Sequence, residues 1–261
     1  MINNSSIKGL AESIAMEYPN KITPLEEIVK DEGLGVFYDD YGANTFDGMT
    51  IYGNNKFSIH INTRQGNSQH SPKGRFTLAH ELGHYFIDSH RIGLKKGLLK
   101  PHPSKTNQKQ FYKIEREADY FASNLLMPEK RFDKDIYRKK FNIGLIDHLK
   151  EEYKVSRTAC AFRFADIGNH SIMVIYAEAK KIRWYHCSDD FKYKYLLYEK
   201  NISPNTVMGE YFQDITDDIF KTEQIWAVDI FKYVKDEDVQ EKFFEHCITF
   251  KNRALSIIWG D

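Results

Sequence analysis

The sequence predicts an α+β fold in two parts, and three observations predict it. Residues 75–87 and 114–126 each repeat apolar side chains at helical spacing. Three short runs upstream of both, at 36–38, 48–52 and 57–62, read as strands separated by turn residues such as Gly53-Asn54-Asn55. From Ser171 onward the pattern changes to hairpin-like alternation, with 172–177 and 182–187 flanking a turn at 178–181. An α+β domain is therefore expected at residues 1–168, and a smaller β-rich α+β domain at 169–261.

Taken in order, Ile7, Leu10, Ile14 and Ala15 mark an opening helix, and Thr23-Pro24-Leu25-Glu26-Glu27 reads as a cap, a first-turn proline and first-turn acids of a second. Gly33 and Gly35 end that helix. Of the three strands, 58–62 is the clearest; it either offers a free edge to an extended peptide or lies inside its sheet. A loop over 64–74 leads into the helix at 75–87, with Pro72 and Gly74 punctuating the chain before it. Residues 91–107, rich in Lys, Gly, Pro and His, read as a mobile flap. The next helix carries the stripe Ile114, Ala118, Phe121, Ala122, Leu125, Leu126 and closes at Met127-Pro128. Residues 149–159 read as helix, turn and helix, with Ala159, Ala161 and Phe162 in the core rather than as a DNA reader. After the hairpin come an extended piece at 194–198, a helix at 207–220, a strand at 225–231, and a helix at 238–247 ahead of 254–259. The aromatics Trp184, Tyr185, Tyr193, Tyr195, Trp226 and Trp259 belong mostly to core.

Composition narrows the function. Hydrophobic residues make up 41% of 261, enough for one substantial core or two smaller ones, and Lys+Arg equals Asp+Glu at 37 each. That balance gives no global basic field, so direct nucleic-acid binding is not expected. The first residues lack a charged segment followed by an apolar run, and no stretch reaches membrane-spanning length, so a cytoplasmic protein with no membrane partner is expected. Cys160, Cys187 and Cys247 form no CxxC pair and are expected as free thiols, and the neighbours His186 and His246 do not make metal half-sites, because adjacent strand residues face opposite ways.

The chemistry concentrates in His80-Glu81-Leu82-Gly83-His84, the HExxH pattern of zinc peptidases. Four residues apart on a helix, the two imidazoles reach one metal ion, while Glu81 is rotated about a quarter turn away. There it stands beside the metal without ligating it, where a general base can take a proton from water. Gly83, costly inside a helix, implies close approach by a neighbouring backbone. Catalytic zinc usually takes three protein ligands, which leaves His90, Glu115 and Glu117 as candidates for the third. His90 has the spacing of the last histidine in HExxHxxGxxH, but Ile87 stands where that motif needs a turn-forming glycine. Glu115 is preferred over Glu117 because it shares a face with Asp119, which can accept a hydrogen bond from a ligating imidazole and orient it.

Three pieces together resemble the ImmA/IrrE metallo-endopeptidases: Ile59-His60-Ile61-Asn62, the run Arg75-Phe76-Thr77-Leu78-Ala79-His80-Glu81-Leu82-Gly83-His84, and Glu115-Arg116-Glu117-Ala118-Asp119 through Phe121-Ala122 to Leu125-Leu126-Met127-Pro128. The resemblance covers roughly residues 5–165. It implies a zincin-like peptidase core, Zn2+ as cofactor, a thermolysin-like third ligand at Glu115, and a narrow protein substrate, typically a DNA-binding helix-turn-helix repressor or an antitoxin-system partner. Asp119 replaces the family's more common Asn and keeps an acceptor there. A second expectation, from another class, is a non-catalytic regulatory protein that sequesters a repressor or toxin and keeps zinc for structure. The residues at 169–261 resemble no family, and the sequence names neither their role, expected as regulatory or partner-binding, nor an oligomeric state.

Overall fold

Every stretch near the motif with helical spacing is a helix in the computed structural model, which describes residues 4–99, 112–213 and 218–260. Contacts divide the chain into two units, residues 1–135 with 148–156 and residues 136–147 with 157–261.

In the first unit α1 (Asn4–Glu17) buries Ile7, Ala11, Ile14 and Ala15, and α2 (Leu25–Asp31) buries Leu25 and Ile28. Thr23 does not cap α2 as expected. Pro24 holds that position, while the buried Thr23 hydroxyl donates to Leu125 O at 2.7 Å, a tertiary bond in place of accepting from a first-turn N–H as a cap would. Strands β1 (Gly35–Asp39), β2 (Gly48–Gly53) and β3 (Lys56–Asn62) form a sheet in the order β1-β3-β2, with β3 parallel to β1 and antiparallel to β2. Of the two roles open to residues 58–62, the interior one is realised, and β2 is an edge.

Helix α3 (Pro72–Phe86) starts earlier than the apolar stripe suggests. Ser71 caps it by accepting from Gly74 N at 3.0 Å, and Pro72 occupies the first turn, where its missing N–H is no loss. Helix α4 (Asp88–Lys95), burying His90 and Leu94, occupies the start of the segment expected as a flap; residues 100–107 of that segment lie outside the described residues. Helix α5 (Tyr112–Leu126) fully buries Ala118, Phe121, Ala122, Leu125 and Leu126 of the expected stripe, and leaves Ile114, the first residue of that stripe, half-buried. Helices α6 (Glu129–Ile136) and α7 (Ile143–Tyr153) straddle the division between units.

The second unit holds α8 (Arg157–Ile167) and a five-stranded antiparallel sheet of β4 (Ile172–Glu178), β5 (Lys181–Cys187), β6 (Phe220–Trp226), β7 (Lys242–Phe250) and β8 (Arg253–Trp259), in the order β5-β4-β8-β7-β6. The hairpin turns through Ala179 and Lys180, both at positive φ. Helix α8 buries Cys160, Ala161 and Phe164 and lays Phe162 on Trp184 and His186 of β5, so a boundary after residue 168 would part it from the sheet it packs on. Helices α9 (Val207–Gln213) and α10 (Ala227–Ile230) pack with Met173, Ile175, Ile225, Phe243 and Ile258 in the core on the sheet's other face.

Three expectations for this region are corrected. Residues 238–247 are not a helix; from Lys242 they are β7, whose backbone pairs with β6 on one side and β8 on the other, and whose Phe243, Phe244, Ile248, Thr249 and Phe250 suit a pleated surface. The strand expected at 225–231 lies at Phe220–Trp226, with α10 following. Of the helix expected at 207–220, α9 ends at Gln213, residues 214–217 lie outside the described residues, and Phe220 is in β6. The three cysteines are free thiols, and no described helix is long and apolar enough to cross a membrane.

Candidate metal centre

The site begins with a close crossing of two helices. A Cβ built on Gly83 would stand 3.2 Å from Ala118 Cα and 3.2 Å from Phe121 Cδ1, so the bare glycine lets α3 and α5 cross this closely without α5 having to give by a few tenths of an ångström. Glu115, one turn before Ala118, is thereby carried to the histidine face of α3. His80 and His84 point there together, their Nε2 atoms 3.1 Å apart. The Glu115 carboxylate completes the group, with Oε2 3.5 Å from His80 Nε2 and Oε1 3.4 Å from His84 Nε2. Among the described residues, His80, His84 and Glu115 are the cluster that could hold a metal ion. Asp119, one turn along α5, sets its Oδ1 2.9 Å from His80 Nδ1. With the Nδ1 proton donated to that carboxylate, the His80 lone pair sits on Nε2, facing the other two donors.

The electrostatics fit a cation. Burial resists charge on His80, yet the carboxylates of Asp119 and then Glu115 outweigh it and raise the His80 pKa well above its ordinary value. His84 is pushed down by burial, which Glu115 partly offsets and His80 reinforces. A pocket that draws a proton onto one of two facing imidazoles favours positive charge between them, and a divalent ion on two nitrogens and a carboxylate oxygen supplies it. Two imidazoles and one carboxylate is a donor set that suits zinc.

Glu81 is fully buried and stays out of this triad. Its Oε2 accepts from the Thr50 hydroxyl of β2 at 2.7 Å. His90 and Glu117, the other two residues weighed as third ligand, are paired with each other, Nε2 to Oε2 at 2.9 Å, with the His90 ring 5.2 Å from that of His84. The structure thus brings together His80, Glu81, His84, Glu115 and Asp119. Sequence reasoning missed Thr50 and Gly48: nothing in Gly48-Met49-Thr50-Ile51 marks two residues that only the register of β2 turns toward Glu81.

Comparison with known proteins points the same way. A family model described as IrrE N-terminal-like domain, from a family of metallopeptidases, matches residues 30–165. A search of curated proteins returns no match. Among solved structures, a Mycobacterium tuberculosis transcriptional regulator is similar in fold, with a TM-score of 0.61 at 14% identity over 98% of this chain and 78% of that one.

Proposed function

The chain belongs to the IrrE N-terminal-like family of metallopeptidases, and from that premise we propose that it is a zinc-dependent endopeptidase acting on one specific protein. His80 Nε2, His84 Nε2 and a Glu115 oxygen would hold the ion. Once bound, zinc would supply Lewis acidity, lowering the pKa of a water molecule and polarising the scissile carbonyl. The chain's own residues carry the proton. Glu81 takes one from water as its oxygen adds to the carbonyl carbon, and returns it to the amide nitrogen as the C–N bond breaks. Asp119 keeps the His80 ring in the tautomer that leaves Nε2 free for the ion.

The observation that carries this reading is the position of Glu81, a buried carboxylate beside the three converging donors and not one of them. A structural zinc site has no use for such a group and usually closes its fourth position with another ligand. The substrate we propose is a cytoplasmic helix-turn-helix repressor or antitoxin-system partner; a fold neighbour named as a transcriptional regulator is in keeping with that. The test incubates zinc-loaded protein with repressors of this class and reads cleavage by mass spectrometry. Glu81→Gln is expected to abolish cleavage with zinc content and fold intact. Undiminished cleavage by that variant would sink the mechanism. Capture of a repressor with no cleavage by either protein would favour a non-catalytic protein that sequesters its partner around a structural zinc.

A further inference from the structure

Strand β2 reaches the proposed base directly. The Thr50 hydroxyl lies 2.7 Å from Glu81 Oε2 and 3.1 Å from Glu81 O, with both residues buried. Two positions earlier, Gly48 lies against the same carboxylate: a Cβ there would stand 2.6 Å from Glu81 Oε1 and 2.8 Å from its Cγ. The register of β2 on β3, Gly48 opposite Ile61 and Thr50 opposite Ile59, turns both positions toward α3 and leaves Met49 and Ile51 on the opposite face. One carboxylate oxygen is therefore held by a hydroxyl, and the other lies where any larger residue at position 48 would displace it.

We propose that Thr50 is a positioning residue for Glu81, with Gly48 supplying the space its carboxylate needs; this rests on Glu81 serving as general base. A free glutamate side chain spreads its carboxylate over several rotamers, and a base that must meet one proton in one place works best when that freedom is already removed. A hydroxyl suits the task because it donates to the ionised carboxylate and can accept from the protonated one. A valine methyl does neither, although it fills the same volume.

The experiment uses the zinc-loaded full chain with a pool of quenched-fluorescent peptides, alongside crystal structures of the variants. Thr50→Val is expected to lower kcat roughly ten- to hundredfold, as loss of a group that orients another usually does. KM and zinc content should stay within about twofold of the parent, since the contact touches neither substrate nor ligand. Thr50→Ser should restore most of kcat, and the Thr50→Val crystal structure should show the Glu81 carboxylate displaced. If Glu81→Gln is inactive while Thr50→Val turns over at the parent rate, the positioning role is overturned and the proposed function stands. If Glu81→Gln cleaves as fully as the parent, the proposed function fails instead; in that case, and where the parent cuts no peptide of the pool, the crystal structures decide the clamp. An unmoved Glu81 in Thr50→Val then overturns it, and a displaced one upholds it.

Discussion

Helix α3 buries His80, Glu81 and His84, and strand β7 buries Glu245, His246 and Cys247. The two sets are chemically alike and structurally opposite. On β7 successive residues alternate between faces, so each group meets its own surroundings. Glu245 accepts from Val207 N at 2.6 Å, Met208 N at 3.3 Å and the Ser256 hydroxyl at 2.6 Å, tying α9 to the sheet. His246, on the other face, sets Nδ1 2.7 Å from the Thr222 hydroxyl and its ring 4.4 Å from that of Phe220. Cys247 returns to the first face inside the apolar core, where burial pushes its thiol pKa up. On α3 a spacing of four residues instead stacks two imidazoles over one point, and α5 aims Glu115 at the same point. Buried ionisable groups become a candidate site when their geometry makes them converge; when it separates them, they serve packing and stability.

The convergence on α3 depends most on Glu115. Glu115→Ala should drop zinc after dialysis from about one per chain to nearly none, because a three-ligand site becomes a two-ligand one. Elemental analysis checks this, and full retention would place the third ligand elsewhere. On the other side, Glu245→Ala strips the acceptor from two backbone N–H groups and a buried hydroxyl. It should cost about 2–4 kcal/mol of stability in urea unfolding while leaving zinc content untouched. A loss under about 1 kcal/mol would mean that water or a neighbour satisfies those donors equally well.

His246 gives the separated set on β7 a dependence on pH. Burial first, then Arg157, pushes its pKa down from 6.5 to about 4, so the folded protein holds it neutral while the unfolded chain takes up a proton near 6.5. Its contribution is complete above that value and is lost as pH falls toward about 4, by up to about 3 kcal/mol at 1.36 kcal/mol per pH unit. His246→Asn, which does not titrate, should flatten this part of the stability profile. An equally steep acid loss in the variant would assign it to other groups. The smallest effect is expected at Asp119, whose side chain is 50% exposed. Asp119→Ala should weaken zinc binding roughly tenfold in chelator competition, as loss of an orienting carboxylate commonly does. An unchanged affinity would show that the His80 ring is held without it.

How much of this was legible beforehand depended on the distance over which each rule acts. The HExxH helix, the shared face of Glu115 and Asp119, the tight approach at Gly83 and the hairpin around residues 178–181 all follow from spacings of a few residues, which backbone geometry settles locally. The residues of β7 fit a helix as well as a strand in the sequence, because a short apolar run suits either period until two ladder partners claim its N–H and C=O groups. Thr23 reads as a cap from its neighbours, but packing turns its hydroxyl to donate to Leu125 O, 102 residues away, and leaves it off the first-turn N–H groups. His90 and Glu117, read separately as possible ligands, are bound to each other across 27 residues. The clamp on Glu81 spans 31 residues and depends on which way β2 faces. Spacing along the chain settles which side chains could share a helix face and hold a metal. Which strand borders the site, what holds its base and which polar residues pair away from it follow from packing, because those contacts exist only once separate elements meet.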